Sequence, residues 1–127
     1  MTGKYEPMEP ARRPGGKPDE KSVYRVLIHR RYADAWSQIV ERVGLQQAQQ
    51  FWDHVSHSPG VKTALADTCF LRGKAGRPQK EGFSKTIHYE LSSMARINYQ
   101  YCNSYKTSPD SDPHPVVFIL TVDYSSH

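Results

Sequence analysis

The sequence predicts an α+β domain: a curved, mainly antiparallel sheet of about four strands with an N-terminal helical hairpin packed on one face. Three observations lead there. Segments of strand and helix character follow in the order strand, two helical segments, strand pair, strand. Large apolar residues recur at helical spacing in the first half of the chain. The stretch KTIHYELSSMARINYQY, Lys85 to Tyr101, alternates in twos on either side of a short connection, as a β-hairpin does.

A chain of 127 residues has room for one core rather than two domains. Residues 1–21 are expected to form a disordered N-terminal tail, because MTGKYEPMEPARRPGGKPDE holds four prolines, three glycines and almost nothing apolar. The folded domain is then 22–127. It opens with VYRVLIH, Val23 to His29, whose β-branched and aromatic content suits a strand. Helical patterning follows, with Trp36, Ile39, Val40 and Val43 at i, i+3, i+4 and i+7. Gly44 interrupts it, and Leu45, Ala48, Trp52 and Val55 continue the stripe until His57-Ser58-Pro59-Gly60 ends it. Two antiparallel helices or one bent helix both fit, with Trp36 and Trp52 as core aromatics. Lys62 to Leu71 is ambiguous between an edge strand and an irregular lead into a basic loop.

In the hairpin, Ile87, Tyr89 and Leu91 share one face with Ile97, Tyr99 and Tyr101, while Thr86, His88 and Glu90 share the other with Arg96, Asn98 and Gln100. Joining apolar to apolar requires opposed residue numbers that sum to an even value, such as Tyr89 with Ile97. The connection Ser92 to Ala95 therefore needs an odd loop or a bulge, and Glu90 faces Arg96 or Asn98. A polar loop from Asn103 to Pro115 leads to VVFILTVDY, apolar on both faces and so expected in the middle of the sheet.

Charge is focused rather than spread. The chain has 17 Lys plus Arg against 13 Asp plus Glu, a net +4. Arg72, Lys74, Arg77, Lys80 and Lys85 face only Glu81 within their segment, a local excess equal to that of the whole chain. This loop is the expected contact for RNA phosphates, with plain solubility as its rival. Cys69 and Cys102 lack a disulfide framework or metal-ligand spacing and are read as reduced and structural in a cytoplasmic protein. Asp53, His54 and His57 are read as solvated groups at a helix end rather than metal ligands. No metal or other cofactor is expected, nor any membrane association.

From Tyr24 to His127 the chain resembles the RelE/ParE superfamily of bacterial type II toxins. The resemblance lies in the first strand, the helical segment ending GLQQAQQFWDHVSHSPG, the LRGKAG segment, the second hairpin strand beginning ARINYQY, and the last strand VVFILTVDY. It implies a RelE-like fold, a cognate antitoxin as partner, and either cleavage of mRNA on the ribosome or poisoning of DNA gyrase. In that family an arginine at the start of the third strand commonly lies on the concave sheet face, and Arg96 matches it. Arg72, Lys74 and Lys85 match basic residues that grip RNA. Tyr124 and His127 match the Tyr, His or Arg often found near the end of the last strand. The chain departs from the family in its tail, its long 75–83 and 103–115 connections, and SSH where an arginine usually follows the last strand.

Metal-independent RNA cleavage needs a base for the 2'-hydroxyl, an acid for the leaving 5'-oxygen, and cations for the phosphate. His88 or Glu90 can serve as base, His127 or Tyr124 as acid, and Arg96 with Lys85 as the phosphate clamp. The competing readings are an exposed Glu90–Arg96 ion pair, a gyrase poison that needs no acid–base residues, and a non-catalytic RNA- or protein-binding module.

Overall fold

The computed structural model describes residues 7–16, 21–61, 76–78, 82–92, 95–107 and 110–124, and the backbone of 67–70. The fold is α+β. Strands β1 (Met8–Pro10), β2 (Arg25–His29), β3 (Asp67–Phe70), β4 (Ile87–Ser92), β5 (Ala95–Tyr105) and β6 (His114–Asp123) form one sheet in the order β1-β2-β6-β5-β4-β3. A 3-10 turn at Arg30–Tyr32 leads into helices α1 (Ala33–Ser37), α2 (Ile39–Val43) and α3 (Leu45–His57).

Six strands stand where about four were expected, and the two additions come from stretches whose composition argued against order. The ambiguous segment supplies β3, which pairs antiparallel with β4. The tail supplies β1, antiparallel to β2 with Glu9 opposite Ile28. The expectation of a disordered tail over 1–21 is thus corrected for residues 7–16, and the reason is two indole N–H groups. Trp36 Nε1 donates to the Arg12 carbonyl at 3.1 Å and Trp52 Nε1 to the Ala11 carbonyl at 2.9 Å. Buried tryptophans need acceptors, and the tail backbone provides them. Met8 and Ala11 are buried, and Arg13 makes a two-point contact with Asp53 at 2.8 and 3.0 Å.

The helical region has two breaks, at Gln38 and at Gly44. Gly44 adopts φ +90°, a conformation that suits glycine and ends α2 before α3 begins. The break at Gln38 shifts the angular phase, so Trp36 and Ile39 are buried while Val40 is exposed, and Phe51 rather than Leu45 completes the buried stripe of α3.

The hairpin pairs Tyr89 with Ile97 and Glu90 with Arg96, and a bulge between Glu90 and Ser92 reconciles this even register with the tight connection. β6 lies centrally, antiparallel to β5 and parallel to β2, with Val116 to Ile119 buried on both faces. The larger core fills the space between sheet and helices. There Phe51 meets Tyr89 edge-on at 4.9 Å and Tyr99 at 6.0 Å, and burial pushes the Tyr89 hydroxyl up to about 12.

The opposite face is divided. At one end Phe83 covers Phe118 at 4.8 Å, with Leu27, Val116 and the free thiol of Cys102 in the same cluster. At the other end the face is polar and open. No helix among the described residues is long and apolar enough to cross a membrane.

Candidate functional site

The polar end of the second face is built by three neighbouring strands in register. Glu90 of β4, Arg96 of β5 and Asp123 of β6 form one row, and His88, Asn98 and Thr121 form the next. A register shift after Asn98 makes this arrangement compatible with the core. It lets Thr121 and Asp123 share the polar face although Val117 and Ile119 face the helices. Over these rows lies a cavity of about 420 Å³, lined in part by Tyr32, His88, Arg96, Asn98, Thr121 and Asp123.

His88 is held from both sides. Its Nδ1 lies 2.9 Å from Asn98 Oδ1 and its Nε2 lies 3.4 Å from Glu90 Oε1. An oxygen thus faces each ring nitrogen and can accept from an N–H there. The same Glu90 oxygen stands 3.9 Å from Arg96 Nε, with both side chains a little over one-third exposed. At that distance and exposure the ion pair contributes about 0.2–1 kcal/mol, too little to be the reason for the whole cluster.

Of the candidate residues read from the sequence, His88, Glu90 and Arg96 come together here. Tyr124 does not take part: its hydroxyl donates to the Ala35 carbonyl of α1, and Arg42 lies over its ring at 5.1 Å. Burial pushes that hydroxyl up to about 12, against the opposing effect of the Arg42 charge. A phenol so engaged fastens the end of β6 to the helices, and Tyr124 does not line the cavity. His127, Arg72, Lys74 and Lys80 lie outside the described residues. Arg77 and Lys85 are exposed.

Residues 76–78, the described stretch of the basic segment ahead of Gly82, are tied to the same face. Gln100 is fully buried and its Nε2 donates to the Arg77 carbonyl at 2.6 Å and to Thr86 Oγ1 at 2.9 Å, while the Thr86 amide donates to the Gly76 carbonyl at 2.9 Å. The Arg77 carbonyl therefore lies over β5 at Gln100, two residues along the strand from Asn98. Asp53, His54 and His57 diverge instead of clustering. Asp53 takes Arg13, His57 reaches the Asp53 and Lys21 carbonyls, and His54 lies against Tyr89 at 5.8 Å. They are half-buried rather than solvated because the tail and β4 pack over that end of α3.

Comparison of the chain with protein-family models, with curated proteins and with solved structures found no match. The site is therefore read from its own geometry.

Asn98, Thr121, Asp123 and Tyr32 of this lining were missed from the sequence. Asn98 was visible on the polar face of the hairpin, and its spacing opposite His88 was the available signal. Thr121 and Asp123 depend on the β5–β6 register, which sets Asp123 opposite Arg96, and Tyr32 depends on the parallel pairing of β2 with β6, which brings the end of the first long strand beside the end of the last. No local pattern encodes that pairing.

Proposed function

We propose that the chain is a toxin of the RelE type, a metal-independent and ribosome-dependent mRNA endoribonuclease that inhibits translation in the cytoplasm and is neutralised by a cognate antitoxin. The observation that carries this reading is the cavity whose wall brings His88, Arg96 and Asp123 together from three strands. The helices on one sheet face, and the first long strand parallel to the last, support a RelE-like arrangement.

In the proposed reaction the Asp123 carboxylate takes the proton of a ribose 2'-hydroxyl. The 2'-oxygen attacks phosphorus, and the bond to the 5'-oxygen breaks. His88 gives its proton to that leaving oxygen, and the products are a 2',3'-cyclic phosphate and a 5'-hydroxyl. Arg96 stabilises the charge that develops on the phosphate. Glu90 acts behind the wall, holding His88 and Arg96 through one oxygen. The proton-transfer groups are each expected to contribute about 10²–10⁴-fold.

The test is to induce the protein in bacteria, alone and beside Arg96→Ala, and to map new 5' ends across cellular mRNA. Cuts within reading frames that vanish in the variant are expected, with the fold retained because Arg96 lies at the open face. Growth arrest without cuts would transfer the reading to a gyrase poison. Absence of both would leave a non-catalytic binding module.

A further inference from the structure

The row that holds Arg96 places it between two carboxylates, Glu90 and Asp123. Such a row does not attract a polyanion by itself, so the cations that bind one must stand around it. One group is Arg77 and Lys85 on the hairpin side, where the Arg77 carbonyl accepts from Gln100. The other side of the cavity is bounded by the 3-10 turn, where Arg30 and Arg31 are exposed and Tyr32 lines the cavity.

Two contacts fix the backbone of this turn. The Arg30 amide donates to the Pro7 carbonyl at 3.1 Å and the Arg31 amide to His29 Nδ1 at 3.1 Å. The turn is thus set before any ligand arrives, which lowers the ordering cost of binding. From the end of β2 to β4 the sheet spans three strand spacings, about 14 Å. An extended strand of nucleic acid crossing the sheet meets the turn on one side and the Arg77 and Lys85 segment on the other.

We infer that Arg30, Arg31 and Tyr32 form a second nucleic-acid contact, the arginines binding phosphates of single-stranded RNA on the β2 side of the cavity, opposite Arg77 and Lys85, and the Tyr32 ring stacking on an unpaired base. The inference rests on the proposed function for the choice of RNA. An aromatic ring inside a cavity can stack on a base only when that base is out of a duplex, which selects single strands.

The test is the salt dependence of binding, followed by fluorescence anisotropy, of a labelled RNA dodecamer carrying 2'-O-methyl groups so that it is not cleaved. Arg30→Gln and Arg31→Gln are each expected to make the slope of log K against log salt shallower by about 0.7, while Arg31→Lys keeps it. Tyr32→Leu is expected to weaken binding about 5- to 150-fold at unchanged slope, and Tyr32→Phe to preserve it. An unchanged slope in the double arginine variant, or unchanged affinity in Tyr32→Leu, overturns the inference. If the variants behave as expected but the wild type never cuts mRNA, the nuclease reading falls and this contact stands. If the wild type cuts and the variants bind normally, the contact falls and the nuclease reading stands.

Discussion

Tyr124 and His54 show how burial separates structural from reactive groups. Tyr124→Phe removes the hydrogen bond to Ala35 and is expected to cost about 1 kcal/mol in urea unfolding, with mRNA cleavage unchanged. Loss of the proposed cleavage at full stability would assign Tyr124 the role of acid. His54 is held below the ordinary imidazole value of 6.5 by burial, and its Nε2 is buried with no hydrogen-bond partner. The unfolded chain therefore takes up a proton at this position before the folded one does. Stability is expected to be full above 6.5 and to fall as the pH drops below it, and His54→Phe is expected to flatten that part of the profile. Denaturation midpoints measured between pH 7 and pH 5 for both proteins check the sign. Neither environment was legible in the sequence. Tyr124 sits at a strand end that suits catalysis and capping equally, and the burial of His54 depends on a strand more than thirty residues away.

Among the elements, the hairpin was legible to the register. Its apolar face demanded Tyr89 opposite Ile97, and the bulge after Glu90 is how the backbone meets that demand. The tail was not legible, because its order comes from satisfying Trp36 and Trp52 rather than from its own apolar content. Removing residues 1–16 is expected to lower the unfolding free energy by about 2–5 kcal/mol, through lost burial of Met8 and Ala11 and exposure of the two indoles. Arg13→Ala alone is expected to cost about 1 kcal/mol or less, because its partner Asp53 is 40% exposed. Equal effects of the two changes in urea titrations would mean that the tail is held by charge rather than by its backbone.

On the scale of the whole molecule, the α+β class and the central place of the last strand followed from composition and order. The mixed sheet did not, since the parallel pairing of β2 with β6 joins segments that share no local signal. The site inherits this split. His88, Glu90 and Arg96 could be found within one hairpin, whereas Asp123 enters through the β5–β6 register and Tyr32 only through the pairing of β2 with β6.

That pairing also sets a timetable for synthesis. Val26 and Ile28 contribute to the core, yet the strand that flanks them and the phenol that locks α1 to the sheet come about ninety residues later. A nascent chain that has emerged only through the helices exposes this apolar strand with no long partner. Such long-range closure places refolding on the millisecond-to-second scale of non-local topologies, which stopped-flow fluorescence of Trp36 and Trp52 can measure. It also means that the cavity wall is assembled last, because Thr121 and Asp123 join Asn98 and Arg96 only when β6 pairs with β5.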